Sequence, residues 1–375
     1  MKLLDSPFGS PGASGGPPPR ERMEPILLDR NENRYGPAPA CLEVLQHVSP
    51  ELLFNYTRDF NKGYYSALSH RLAQIHDIDE KHIVLGYGCE DILKQAVHHW
   101  LRPGERCFVP AASWWYYDTI AQEVDGVTIK YPLIETETAY QYDIQALEEL
   151  HHKHRARVLL LASPNNPTGN LFDPKCLPEL LSHFRDAMVV LDEAYWGFQA
   201  NPEDTARLAK EYPNVLVLRT FSKLHGLAGA RIGYGVAGTG LKSFLKFSAR
   251  YLGYNRISEQ VALAALDSPA YYEDVRSKVV ADRTKLCEVL RTFQGVRAYD
   301  SQANFLLARF PKEVISPLKA ALEQRGMILK FLTDAAFVHC VRITLGTQHD
   351  NAMLMQAFQE ILPALLQEPS RKAPV

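Results

Sequence analysis

Six short apolar runs constrain this chain more than any other feature: HIVLG, RCFVP, VTIKYP, RVLLLAS, AMVVLD and NVLVLRT, all lying between Lys81 and Thr220. They are rich in Val, Ile and Leu and end in turn residues, and each reads as a buried strand. Strands of that kind need cover on both faces, as a parallel sheet provides. Between them lie helical patterns: CEDILKQAVHHWL after Gly88, SWWYYDTIAQEV after Pro110, DIQALEELHHKH, and PKCLPELLSHFR with Asp173 at its start. The alternation predicts an α/β doubly wound sheet. Beyond about Leu252 the texture changes to long helical periodicity, SEQVALAALDSPAYYEDVRSKVVADRTKLCEVLRTF. Strand-like ANFLLARF and CVRITLG follow, which predicts a second, smaller α+β domain.

A chain of 375 residues is long for one core and fits this division. Residues 1–23, rich in Pro, Gly and Ser and without a signal-peptide core, are expected to form a disordered tail. With 46% hydrophobic residues, 22% charged residues and a formal net charge of -2, the chain offers no general attraction for nucleic acid or an anionic membrane. Its six cysteines contain no CxxC pair, which argues against a disulfide framework or a metal site and for a cytoplasmic protein. The run HHKHRAR reads as a solvated turn at a helix end.

In an open α/β sheet, ligands bind outside the carboxyl ends of the strands. Four ends here carry distinctive chemistry: PNNPTGN, LDEAYWGF, FSKLHG and GYGCED. Together they offer an amide (Asn166), a carboxylate (Asp192), a phenol (Tyr195), a hydroxyl (Ser222), a lysine (Lys223), Arg231 and a helix start at Cys89 and Glu90. The free N–H groups of that helix start, with Ser222 and Arg231, make a phosphate cradle. A lysine in a partly dehydrated cleft beside an arginine becomes a usable amine nucleophile. Asp192 can hold a protonated ring nitrogen, and Asn166 and Tyr195 a ring oxygen. Phosphate, aldehyde, basic ring nitrogen and ring oxygen together describe pyridoxal 5'-phosphate.

The motifs PNNPTG, DEAY and RTFSKLHGLAGARIGY, in this order, resemble those of fold-type-I pyridoxal-phosphate aminotransferases, and among them the histidinol-phosphate aminotransferases. NENRYGP, LGYGCEDI, RYLGYNRISEQVALAAL, ANFLLARF and VRITLGT extend the likeness over nearly the whole chain after the tail. The resemblance implies a large domain with a mainly parallel seven-stranded sheet between helices, plus a smaller α+β domain. The expected division is an N-terminal arm over residues 24–55 packing with the small domain, a cofactor-binding domain over 56–252 and a small domain over 253–375.

Residue by residue, the resemblance makes Lys223 the Schiff-base lysine and proton carrier and Asp192 the partner of the ring nitrogen. Tyr195 and Asn166 become the partners of the ring oxygen. Ser222, Arg231, Cys89 and Glu90 take the phosphate. Trp114 occupies the place of the aromatic stacked on the ring, with Trp115 as a rival. Tyr56 matches the tyrosine that reaches the neighbouring subunit's phosphate, implying a homodimer, and Arg342 the arginine that grips the substrate's anion.

The departures bear on substrate. Arg34 follows NEN where the family commonly has proline, and it borders the expected substrate pocket. Gly86-Tyr87-Gly88 replaces Gly-Asn-Gly, Cys89 displaces the acidic pair to Glu90 and Asp91, and Lys330 in GMILKF stands where an arginine is usual. Lysine keeps the charge and gives up bidentate geometry. The implied reaction is ping-pong transfer of an amino group from an amino acid or amino-phosphate to a 2-oxo acid such as 2-oxoglutarate. Two alternatives stand beside it: a decarboxylase resembling threonine-phosphate decarboxylase, which would keep the same cofactor residues, and a ligand-sensing regulator, which would add a DNA-binding module.

Overall fold

The computed structural model describes residues 24–367, so the tail expected over residues 1–23 lies outside the described residues. The strands of the first half are β1 (Ile26–Leu28), β2 (Ile83–Gly86), β3 (Arg106–Pro110), β4 (Val127–Tyr131), β5 (Leu133–Glu135), β6 (Tyr140–Tyr142) and β7 (Val158–Ala162). Those of the second half are β8 (Met188–Asp192), β9 (Val215–Thr220), β10 (Gly233–Ala237), β11 (Arg297–Ala298), β12 (Phe305–Arg309), β13 (Met327–Phe331) and β14 (Cys340–Thr344). Helices α1 (Pro39–Gln46), α2 (Glu51–Phe54), α3 (Ala67–His76), α4 (Cys89–Trp100), α5 (Tyr116–Gln122), α6 (Ile144–His154) and α7 (Leu177–His183) come first. They are followed by α8 (Lys242–Ser248), α9 (Arg256–Leu266), α10 (Pro269–Arg291), α11 (Lys312–Gln324) and α12 (Gln348–Gln367).

Seven strands form one sheet in the order β2-β10-β9-β8-β7-β3-β4. All pairs from β9 to β4 are parallel, and only β10 runs against its neighbours. Every residue of β7 and β8 is buried, because both faces of the sheet are covered. Along β7, Val158, Leu160 and Ala162 face one core with α4 and α5, whereas Leu159 and Leu161 face the other. Each such side chain contributes about 1.5–3 kcal/mol of burial, which is why the run is continuously apolar. The second sheet has the order β1-β13-β14-β12-β11, with β1 parallel to β13.

Strand β10, GYGVA, was not among the six runs read from the sequence, where it follows a glycine-punctuated stretch. Two glycines weaken the strand signal, yet a Cβ at Gly233 would lie 2.5 Å from the Cys89 amide nitrogen. That close approach brings β10 against the start of α4. The long periodic stretch after Ser258 is also two helices, α9 and α10, with Pro269 opening the second. HHKHRAR is not wholly solvated: His151 turns inward against Phe184, with ring centroids 4.0 Å apart, and accepts the Ala156 N–H. Burial pushes its imidazole pKa down.

Candidate active site

The carboxyl ends of β2, β7, β8 and β9 open into one cleft of about 820 Å³. Its walls include Cys89, Glu90, Trp114, Asn166, Asp192, Tyr195, Ser222, Lys223 and Arg231, all anticipated from sequence. Parallel strands bring these ends together although the residues span 143 positions, from 89 to 231.

Asp192 is the last residue of β8 and is buried. Burial pushes its carboxyl pKa up, while the Tyr117 hydroxyl (2.7 Å, on Oδ2) and the Ala194 N–H (3.0 Å, on Oδ1) act in the opposite direction. Directly behind it, Glu193 pairs with Arg219 at 2.8 Å, and Arg219 also reaches Asp204 at 3.0 Å. The Arg219 guanidinium lies 3.7 Å from the centre of the Trp196 ring. This buried network braces the ends of β8 and β9, from which Asp192 and Lys223 project.

Lys223 follows β9 and donates from Nζ to the Arg30 carbonyl at 3.1 Å. Tyr195 accepts from Asn31 Nδ2 at 2.9 Å, and the Asn31 side-chain oxygen accepts from Thr344 on β14. Asn166 accepts from Arg342 Nη1 at 2.7 Å, so the donor it can offer a ligand is Nδ2. Arg342 Nη2 is taken by the Asp29 carbonyl at 2.5 Å, and its buried Nε has no partner among the described residues.

Gly88 also lines the cleft and precedes α4 with φ +84°. Arg231, itself left-handed at φ 51°, donates to the Tyr87 carbonyl and stands 3.7 Å from Glu90. Ser222 accepts from Thr220, which leaves its own hydroxyl proton available. Burial pushes the Cys89 thiol well above its ordinary pKa, so Cys89 is neutral there.

The expectations for the substrate side separate. Lys330 and Arg342 are opposed on β13 and β14, and both line the cleft. Arg34 is absent from the lining: its Nε donates to Asp350 Oδ2 at 2.8 Å, tying the arm to the start of α12. The physical reason is that Asp350 supplies a carboxylate ion pair within reach. Trp114 and Trp115 both line the cleft; Trp114 packs edge-on to Tyr117, and Trp115 is 65% exposed. Tyr56 is 69% exposed and does not line this chain's cleft. Sequence reasoning did not assign Tyr117 or Asn31 to the site. From sequence, Tyr117 is weighed with Trp114 and Tyr116 only as an aromatic that stacks on the ring or packs, not as a partner of Asp192, and Asn31 sits unremarked in NENRYGP.

The sequence profile of the family described as "Aminotransferase class I and II" matches residues 24–361, and the chain belongs to that family. Histidinol-phosphate aminotransferase from Anaeromyxobacter sp. (strain Fw109-5) is 30% identical over 340 residues, covering 90% of this chain and 91% of the relative. Histidinol-phosphate aminotransferase 2 from Archaeoglobus fulgidus is 30% identical over 342 residues, covering 90% and 93%. Histidinol-phosphate aminotransferase from Sinorhizobium meliloti, solved with pyridoxal-5'-phosphate, superposes with a TM-score of 0.80 at 23% identity, covering 92% of each chain. L-threonine-O-3-phosphate decarboxylase from Porphyromonas gingivalis has the same fold, with a TM-score of 0.74 at 21% identity over 90% of this chain and 99% of that one.

The protein is a pyridoxal-phosphate-dependent aminotransferase of the fold-type-I class. The cleft fits the cofactor on its own chemistry. A side chain at Gly88 would crowd the cradle beside Arg231, the start of α4 lines the cleft, and an anionic acceptor at Asp192 lines the same cleft. No helix among the described residues is long and apolar enough to cross a membrane.

Proposed function

We propose that this chain transfers the amino group of a phosphorylated or carboxylated amine, of the histidinol-phosphate type, to a 2-oxo acid such as 2-oxoglutarate. The observation that carries the reading is the convergence of Lys223, Asp192 and the Gly88–Arg231 cradle on one cleft. Bound pyridoxal 5'-phosphate supplies an aldehyde that condenses with amines and a ring that accepts the electrons left by Cα deprotonation. Lys223 would hold the aldehyde through its Nζ amine and, once free, would serve as the base that takes and returns the substrate's Cα proton. Asp192 keeps the ring nitrogen protonated, and Tyr195 with Asn166 Nδ2 orients the ring oxygen. Ser222, Arg231 and the Cys89 and Glu90 amides would hold the phosphate, and Trp114 would supply an aromatic surface for the ring.

Arg342 is the anchor for the substrate's anion: it is half-buried, makes no ion pair with a carboxylate among the described residues and retains a buried, unpaired Nε. Lys330 beside it adds a second, more adaptable charge.

A homodimer completes the assembly in this reading. Leu53, Phe54, Tyr56, Phe60, Tyr251 and Leu252 are all exposed, on segments that touch where Arg256 donates to the Asn55 carbonyl. Tyr56 then reaches the neighbouring cleft. The chain divides in this reading into an arm over 24–55 that packs with the small domain, a cofactor domain over 56–252 and a small domain over 253–375, and the compartment is the cytoplasm.

The test supplies the cofactor-loaded protein with histidinol phosphate, phenylalanine, glutamate or threonine phosphate together with a 2-oxo acid. For glutamate the acceptor is a 2-oxo acid other than 2-oxoglutarate. Transfer of amino nitrogen without carbon dioxide is the expected result. Carbon dioxide without amino transfer would assign the site to decarboxylation instead.

A further inference from the structure

Asp192 has no ion-pair partner among the described residues; two neutral donors hold it. One is the Ala194 amide, which any chain at this turn would supply. The other is the hydroxyl of Tyr117, which is 3% exposed and lies 75 residues away at the start of α5. The other titratable groups near the carboxylate are Cys89 at the start of α4, Tyr142 on β6 and Lys223, which lines the same cleft and donates to the Arg30 carbonyl. Burial keeps Cys89 and Tyr142 neutral, and Lys223 makes no ion pair with Asp192. The Tyr142 hydroxyl is itself spent on the Ala162 carbonyl.

We propose that Tyr117 is a positioning residue: its hydroxyl donates to Asp192 Oδ2 and fixes the carboxylate, ionised, toward the cofactor's ring nitrogen. This rests on the cofactor placement given above. A hydrogen bond to a carboxylate favours its charged form, and in a dry site that preference is strong. The Tyr117 hydroxyl serves this purpose well because burial and the adjacent carboxylate push its own pKa well above the ordinary phenol value. It therefore donates and does not ionise. Its ring is held edge-on by Trp114, with centroids 5.7 Å apart, so the donor is aimed before any ligand arrives.

The experiment uses two variants at position 117. Tyr117→Phe removes the donor and keeps the ring, and site-specific replacement of Tyr117 by 3-fluorotyrosine keeps the shape and strengthens the acid. In cofactor-free protein labelled with [13C]aspartate, the Asp192 carboxyl resonance is identified by its loss in Asp192→Asn and followed against pH. Its midpoint should rise in the phenylalanine variant and fall in the fluorotyrosine variant. Pyridoxal phosphate, titrated by tryptophan fluorescence, should bind the phenylalanine variant about 2- to 10-fold more weakly. Packing alone would not move the two midpoints in opposite directions. If the phenylalanine variant does not fold, the fluorotyrosine midpoint decides. A wild-type midpoint in every folded variant overturns the assignment of Tyr117. Failure of any variant, wild type included, to bind pyridoxal phosphate would instead count against the cofactor placement.

Discussion

Gly88 and Arg231 occupy one space at the start of α4: a Cβ on Gly88 would stand 2.8 Å from Arg231 Nη2. The glycine also has φ +84° and ψ 166°, a conformation closed to residues with a side chain. Gly88→Ala must therefore distort the turn or displace the guanidinium. A loss of about 1–3 kcal/mol in denaturant stability is expected, together with weaker pyridoxal phosphate binding. Urea unfolding and a cofactor titration check this; wild-type values in both would remove the cradle from the account.

Lys223→Ala tests the amine. Borohydride reduction of the wild-type protein with pyridoxal phosphate should add one cofactor mass irreversibly, at the peptide that contains Lys223. The alanine variant should still bind the cofactor through Ser222, Arg231 and the helix amides but gain no mass. A mass gain in the variant would place the covalent bond at another lysine.

Glu259 on α9 gives a pH dependence of stability. Burial, opposed by the Ser66 hydroxyl and reinforced by Asp59, raises its carboxyl pKa from 4.5 to about 7. The raised folded value means that the folded state holds a proton which the unfolded chain has released. Its contribution is then fully present below about pH 4.5 and is lost as pH rises through about 7. The loss is at most about 3 kcal/mol. Urea midpoints measured over this range should fall more steeply for wild type than for Glu259→Gln, and parallel curves would refute the assignment.

The exposed face formed by Leu53, Phe54 and Tyr56 predicts association. Replacing Leu53 and Phe54 together by lysine should give a monomer by light scattering, with the fold retained by circular dichroism. Their side chains are 72% and 70% exposed in the single chain, so the substitution costs little within it. An unchanged mass would show that this face is not the interface, and a monomeric wild type would show that there is none.

The core of the large sheet was legible because burial on both faces demands the continuous apolar runs that β7 and β8 display. The placing of Lys223, Asp192 and Asn166 in one cleft was legible for a related reason: they lie at or just beyond the ends of such runs, and ligands gather where parallel strands end. The reversed strand β10 was not legible, because Gly233 and Gly235 are selected by close contacts with Cys89 and Val84 and not by strand propensity.

Arg34 shows a different limit. A charged residue beside NEN borders the cleft in sequence terms, yet its direction depends on Asp350, 316 positions away. Tyr117 likewise reads as one aromatic among four in SWWYY, and only the packing of α5 on β3, β4 and α4 sends its hydroxyl to Asp192 on β8. The sequence by itself determined which chemical groups the protein carries at its strand ends, since strand patterns and turn chemistry are local. The tertiary structure decided which of them share a cleft, which way the arginines point and what holds Asp192, because a hydrogen bond between distant residues leaves no periodic trace in the chain.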